Sequence, residues 1–194
     1  METCRRRWSP PRDRIARGVR AHRQAIATGA GLSPLQADVL RTLAEGPPPE
    51  ALAGRLATEL GVSQPTMSDS LAALEAKGHV RRESLAADRR RTTIALTASG
   101  ARLAAELCAA DETLRARVAE LPEQAQERAL ALLLDLIGGL LDNGILGVAR
   151  TCPSCRFYEA DGDAARCSLL QVSLAPSQLR VNCPEHQPAA SAAG

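Results

Sequence analysis

The chain has 194 residues, 45% of them hydrophobic but only Trp8, Phe157 and Tyr158 aromatic, which allows one domain with a small satellite and a core of Leu, Ala, Val and Ile. Residues 1 to 14 lack an apolar leader core, and the most apolar run, Ala129 to Ala149, is interrupted by Asp135, Asp142 and Asn143, which excludes a signal peptide and a membrane span and implies a reducing, cytoplasmic setting. The net charge of +2 hides an uneven distribution, basic at both residues 1–30 and 81–91 and acidic over 101–143, so that one surface is equipped for a polyanion.

Residues 1–11 read as a basic, flexible N-terminus, and Ile15, Val19, His22 and Ile26 then recur at helical spacing, predicting an amphipathic helix from Arg12 to Thr28. Ser33-Pro34 opens a second helix whose Leu35, Val39, Leu40 and Leu43 form a stripe up to Gly46. Past Pro47-Pro48-Pro49, a third helix spans Glu50 to Leu60 and ends at Gly61, and a fourth, capped by Ser63 with Pro65 just inside, carries Met67, Leu71 and Leu74 to Lys77-Gly78. The pattern then turns strand-like over Val80 to Leu85 and Thr92 to Thr97, joined by the basic tip Ala87-Asp88-Arg89-Arg90-Arg91. A long helix follows from Ser99 to Leu121, and Pro122 opens another reaching Asn143-Gly144, weakened in its middle by Gly138-Gly139. The fold class is mainly α with a small β-hairpin.

Two short helices joined by a tight glycine turn can set the second into the DNA major groove, with its first turn at base edges and phosphates. That turn is Ser63-Gln64-Pro65-Thr66, and Gln64, Thr66, Ser68 and Asp69 form a polar face opposite Met67, Leu71 and Leu74. An isolated run such as Asp88 to Arg91 is ordinarily a solvated turn, but after a helix-turn-helix it becomes a wing whose Arg89, Arg90 and Arg91 can reach a narrow minor groove and flanking phosphates, with Arg82 beside them.

Three stretches resemble the MarR (multiple-antibiotic-resistance regulator) family of winged helix-turn-helix regulators: Val62-Ser63-Gln64-Pro65-Thr66-Met67-Ser68; Leu74-Glu75-Ala76-Lys77-Gly78-His79-Val80-Arg81-Arg82; and Asp88-Arg89-Arg90 followed by Leu96-Thr97 and Gly100. The resemblance covers residues 12–144 and implies a homodimer with the first and the last two helices of each chain interlocked and two recognition helices on a palindrome of double-stranded DNA. The long leucine-rich helices fit that role, since one chain has little to cover them. Asp69 departs from the family, which often carries a basic residue there. It removes a phosphate contact, although a carboxylate can accept from a cytosine amino group.

Beyond Gly147 the composition changes, and residues 150–187 read as a Cys-rich metal module, followed by a disordered tail at 188–194. Cys152, Cys155, Cys167, Cys183 and His186 are five soft or borderline ligands. The pairs Cys152-x2-Cys155 and Cys183-x2-His186 suit a tetrahedral zinc site. The four cysteines alone, spaced C-x2-C-x11-C-x15-C, also resemble the pattern of high-potential iron-sulfur proteins, which implies a 4Fe-4S cluster with His186 as a bystander. A redox disulfide between Cys152 and Cys155 is a third reading. The centre is structural or sensory. A small-molecule or redox effector is a further expected partner, the latter because a cluster could link oxidation or iron supply to DNA affinity. For the whole chain the leading function is a transcriptional regulator, the alternative a winged-helix protein-interaction module. An enzyme is not indicated, because neither a nucleophile and base pair nor a phosphate loop is present.

Overall fold

A computed structural model describes residues 2–45, 51–85, 88–161 and 164–189, leaving outside that description the side chains of residues 2–7, 85, 88–91, 113–114 and 161. Seven helices and five strands are described. Helix α1 (Glu2–Gly29) begins well ahead of the expected Arg12 and runs through Pro10 and Pro11; the arginines that fill it are good helix formers. Helix α2 (Pro34–Glu45) opens on a reciprocal box: the Gln36 N–H donates to Ser33 Oγ, and the Ser33 N–H donates to Gln36 Oε1, both at 3.2 Å. Helices α3 (Ala53–Glu59) and α4 (Gln64–Ala76) meet across Gly61, whose φ of 64° is the left-handed conformation that such a turn requires. The expected helix start at Glu50 lies outside the described residues, as does Pro47-Pro48-Pro49.

Strands β1 (Val80–Leu85) and β2 (Asp88–Leu96) pair antiparallel from Val80↔Leu96 to Ser84↔Thr92, with a register shift between Ser84 and Leu85. The hairpin is anchored from below, because Leu52 bridges Thr93 and the Ile94 N–H donates to Ala51 O at 2.9 Å. Val80 and Ile94 thereby enter the core alongside Val39, Leu40, Leu56, Met67, Leu71, Leu74 and Leu107. Each such side chain contributes roughly 1.5–3 kcal/mol through the apolar surface it removes from water. The core is aliphatic, as the sequence requires.

The single helix expected from Ser99 to Leu121 is two: α5 (Ala98–Ala109) and α6 (Glu112–Ala119). The break falls at Ala110-Asp111, where charge is drawn inward. Asp111 Oδ2 lies 3.4 Å from Arg41 Nη1, and His22 Nε2 lies 3.2 Å from the Ala110 carbonyl. Apolar spacing alone could not reveal an ion pair between residues so distant in sequence. Helix α7 (Glu123–Asp142) runs without interruption through Gly138-Gly139 and stops before Gly144 at φ 67°.

The C-terminal segment forms a turn at Cys152–Ser154, strands β3 (Tyr158–Asp161), β4 (Ala164–Cys167) and β5 (Val172–Ser173) in one antiparallel sheet, and a second turn at Pro176–Gln178. Both turns pack on α7. Pairing continues to the Ala189 N–H, which donates to Ser154 O at 3.0 Å, while 190–194 of the expected tail lie outside the described residues.

Candidate nucleic-acid interface and cysteine module

The first turn of α4 is built to present polar atoms. Ser63 Oγ accepts the Thr66 N–H at 3.3 Å and shares a hydrogen bond with Thr66 Oγ1 at 2.8 Å, while Pro65 lacks an N–H where the helix has no partner for one. Ser63, Gln64, Pro65, Thr66, Ser68 and Asp69 are all exposed, and Met67, Ser70, Leu71 and Leu74 are buried. The face expected to read DNA therefore points to solvent as one continuous surface.

Arg82, expected as a DNA contact, donates from Nε to Glu75 Oε2 at 3.1 Å. It ties β1 to α4 while its side chain remains about 42% exposed. Arg81 is bound within the hairpin, to Glu83 and to the Leu96 carbonyl. Arg89, Arg90 and Arg91 lie on the backbone of β2, and their side chains fall outside the described residues. The base of the wing is fixed by a close approach: a Cβ on Gly100 would sit 1.8 Å from the His79 carbonyl oxygen. Thr97 completes this corner, its Oγ1 accepting the Gly100 N–H at 3.0 Å and donating to Gly78 O at 2.6 Å.

Where α2 meets α5 and the start of α6 lies a charged junction that sequence reasoning missed. Arg41, on the apolar stripe of α2, is buried; its Nη2 donates to Leu107 O at 3.1 Å, and its Nη1 faces Asp111 and, at 3.9 Å, Asp38. Burial raises the Asp38 pKa despite Arg23 and Arg41 nearby, and Asp111 raises it further. A cavity of about 410 Å³ opens here, with Arg23, Arg41, Arg115 and Asn182 among its lining. One signal was available: an arginine between Leu40 and Leu43 on a buried helical stripe must be paired.

In the cysteine module the Cys155 N–H donates to Cys152 O at 3.0 Å, which closes the tight turn expected of a C-x2-C pair. Cys152 Sγ accepts the Arg180 N–H at 3.2 Å. Burial pushes the Cys183 thiol up against an opposing backbone hydrogen bond from Glu185, and the Glu185 side chain and the charge of Cys152 add to the rise. Cys167 faces Tyr158 across β3 and β4, and the Tyr158 N–H donates to Cys155 O. His186 is buried, with Nε2 3.0 Å from Ser154 Oγ and 3.2 Å from Ser154 O, and burial lowers its pKa. That nitrogen is thus engaged by Ser154. The four cysteines are unpaired, and among the described residues no three Cys, His, Asp or Glu side chains are grouped to hold an ion. As a donor set, four thiol ligands on one small scaffold still match the chemistry of zinc or a 4Fe-4S cluster.

Residues 30–91 match the family model of the MarR family. The S. aureus MepR–DNA complex aligns with a TM-score of 0.58 at 25% identity, over 69% of this chain and 98% of that one. The transcriptional regulator PA3341 aligns with a TM-score of 0.57 at 29% identity, over 70% of this chain and 98% of that one. CouR from Rhodococcus jostii bound to p-coumaroyl-CoA, 22% identical over 64% of this chain and 87% of that one, shares the fold with a TM-score of 0.55. No curated protein sequence matches the chain. The helices and hairpin are similar to the winged-helix fold of these structures, and among the described residues no helix is long and apolar enough to cross a membrane.

Proposed function

We propose that the chain is a transcriptional regulator that acts as a homodimer on a palindromic operator and carries a C-terminal metal centre. The observation that carries the DNA reading is the exposed first turn of α4, Ser63 to Asp69, beside a wing anchored at Gly100, on a scaffold shared with a protein solved bound to DNA. In this reading Gln64, Thr66 and Ser68 meet base edges, and the helix N-terminus with Arg89, Arg90 and Arg91 meets phosphates. Two solvent-facing surfaces support the dimer. Ile15 on α1 is 68% exposed and Leu133 on α7 is 56% exposed, with Leu132, Leu136 and Leu140 beside it. Apolar faces of that extent are covered in working proteins, and a second copy covers both at once.

The metal reading rests on donor chemistry. Cys152, Cys155, Cys167 and Cys183 would hold zinc or a 4Fe-4S cluster, which when bound crosslinks a segment with little core of its own. His186 ties the C-terminal segment to Ser154.

The test is selection of duplexes from genomic fragments by the anaerobically purified chain, with Arg89→Glu/Arg90→Glu as the comparison. Selection of a palindrome that the double variant fails to bind supports the regulator; equal recovery by both sinks it. Asp69, an acid on the reading face, favours a protein-interaction role, and that second outcome would promote it. Sedimentation of Leu133→Glu tests the dimer, which must dissociate to monomer. Colour and metal analysis of the same preparation separate a brown cluster from colourless zinc.

A further inference from the structure

The cysteine module meets the DNA-reading unit through a buried ion pair. Arg150, 3% exposed, directs Nε to both Glu59 carboxylate oxygens at 3.1 Å and Nη2 to Oε1 at 3.0 Å. Such a fork fixes orientation as well as distance. Glu59 is the last residue of α3, two positions before the Gly61 turn that launches α4. The connecting chain is pressed against the same helix, since a Cβ on Gly147 would lie 3.0 Å from Thr58 Cγ2. Helix α3 has only seven residues and no side-chain cap at Leu52, so its seating depends on what surrounds it.

The other side of Arg150 is wired to the cysteines. Its φ of 42° is a left-handed conformation unusual for arginine, and its carbonyl accepts the Cys183 N–H at 3.1 Å. Asn182, which precedes Cys183, is also left-handed at φ 60°, and the Cys152 N–H donates to Arg180 O at 3.1 Å. A change in how Cys152 and Cys183 are held therefore reaches the Arg150 backbone directly, and a shift of Arg150 reaches Glu59.

We propose that Arg150 is a positioning residue that couples the state of the cysteine module to the seating of α3 and, through it, of the recognition helix α4. This rests on the DNA-reading function of α4 and deepens it by naming the route of regulation. Coupling of this kind is reciprocal, so DNA binding also alters the hold on the cysteines. Breaking one side of a buried pair leaves the other charge uncompensated, which is why single changes are disruptive and a swapped pair repairs them.

Hydrogen exchange of residues 53–76 and affinity for a duplex selected by the full chain from random sequence are measured on the parent, Arg150→Met, Glu59→Gln, Arg150→Lys and the swapped Arg150→Glu/Glu59→Arg. Each neutralising change speeds exchange of 53–76 and weakens duplex binding at least tenfold, Arg150→Lys keeps part of both, and the swap returns both to within threefold. Cys183→Ala loosens 53–76 in the parent but adds less than twofold on the Arg150→Met background. Exchange of 53–76 within twofold of the parent in Arg150→Met while 150–187 loosens, or equal effects of Cys183→Ala on both backgrounds, overturns the coupling. A parent that selects no duplex defeats the DNA reading alone, and the exchange comparison then decides the coupling by itself.

Discussion

The winged helix and the cysteine module are held together by different forces. In the first, Leu40, Leu56, Met67, Leu71, Leu74 and Leu107 are wholly buried around a shared centre, and capped helices and a paired hairpin satisfy the backbone. In the second, Leu169, Leu170, Val172 and Val181 stay exposed, and order comes from short strands, two turns, the Ser154–His186 contact and the docking of Arg150. Burial of apolar surface is the dominant favourable contribution to folding, so the first region has a core of its own and the second does not. A small segment without its own core needs a crosslink or a partner surface; α3 and α7 supply the surface, and the proposed metal centre would supply the crosslink.

The largest expected effect breaks the comparison at that point. If the four cysteines hold the proposed zinc, stripping it with a strong chelator should abolish exchange protection across 150–187, since a structural zinc site contributes roughly 10 kcal/mol or more to the folding of such a segment. The core of α2 and α5 should keep its protection, as mass-resolved hydrogen exchange would show, while 53–76 loosens only in part; loss in α2 and α5 together with 150–187 would mean that the two regions fold as one. Gly100→Ala comes next and attacks the other region. Its Cβ meets a backbone oxygen at 1.8 Å, so the wing corner must move. A cost of about 3 kcal/mol, roughly 10 °C in calorimetric Tm at this chain length, is expected. Gly138→Ala, which meets open space, should instead stabilise by up to about 1 kcal/mol.

The same contrast explains what could be read beforehand. Helices α2 and α4 announced themselves through Ser33-Pro34 and Ser63-Gln64-Pro65, because caps and periodic leucines act over a few residues. The exposure of Gln64, Thr66, Ser68 and Asp69 followed from the same periodicity. What escaped was set by contacts between distant residues: the α5–α6 break at Asp111 depends on Arg41 and His22, and the docking of the module on Glu59 depends on Arg150. Strands β3 to β5 were illegible because their short, half-exposed segments carry no strong alternation. The cysteine spacing suggested ligands, yet spacing says nothing of where His186 turns its Nε2.

Ser63→Ala sharpens the boundary between stability and reading. The hydroxyl caps the Thr66 N–H and stands on the exposed face, so its loss should cost about 1 kcal/mol of stability, a fall of roughly 2–4 °C in Tm. If Ser63 also meets DNA, duplex affinity must fall by more than that of Ser33→Ala, a cap of the same type at the start of α2. Equal affinity losses in the two variants would confine Ser63 to capping.

The smallest expected effect concerns a thiol of the helical region and leaves stability untouched. Burial, then the hydrogen bond and charge of Glu45, push the Cys108 thiol up to about 11 from an ordinary value of 9.0. Only the thiolate reacts, so at pH 8 roughly one Cys108 in a thousand is reactive, against about one in ten for an unshifted thiol. Alkylation followed by mass spectrometry should find Cys108 roughly a hundredfold slower in the folded chain than in urea, because the thiolate fraction changes by that factor. The folded rate should rise about tenfold per pH unit between 8 and 10, where the group remains below its pKa, and Glu45→Gln should narrow the gap. Chelation is expected to expose Cys152, Cys155, Cys167 and Cys183 to the reagent while leaving the Cys108 rate unchanged. A Cys108 rate that rises with theirs would mean that the loss of the centre propagates through α2 and α5, and the two regions would then share one stability.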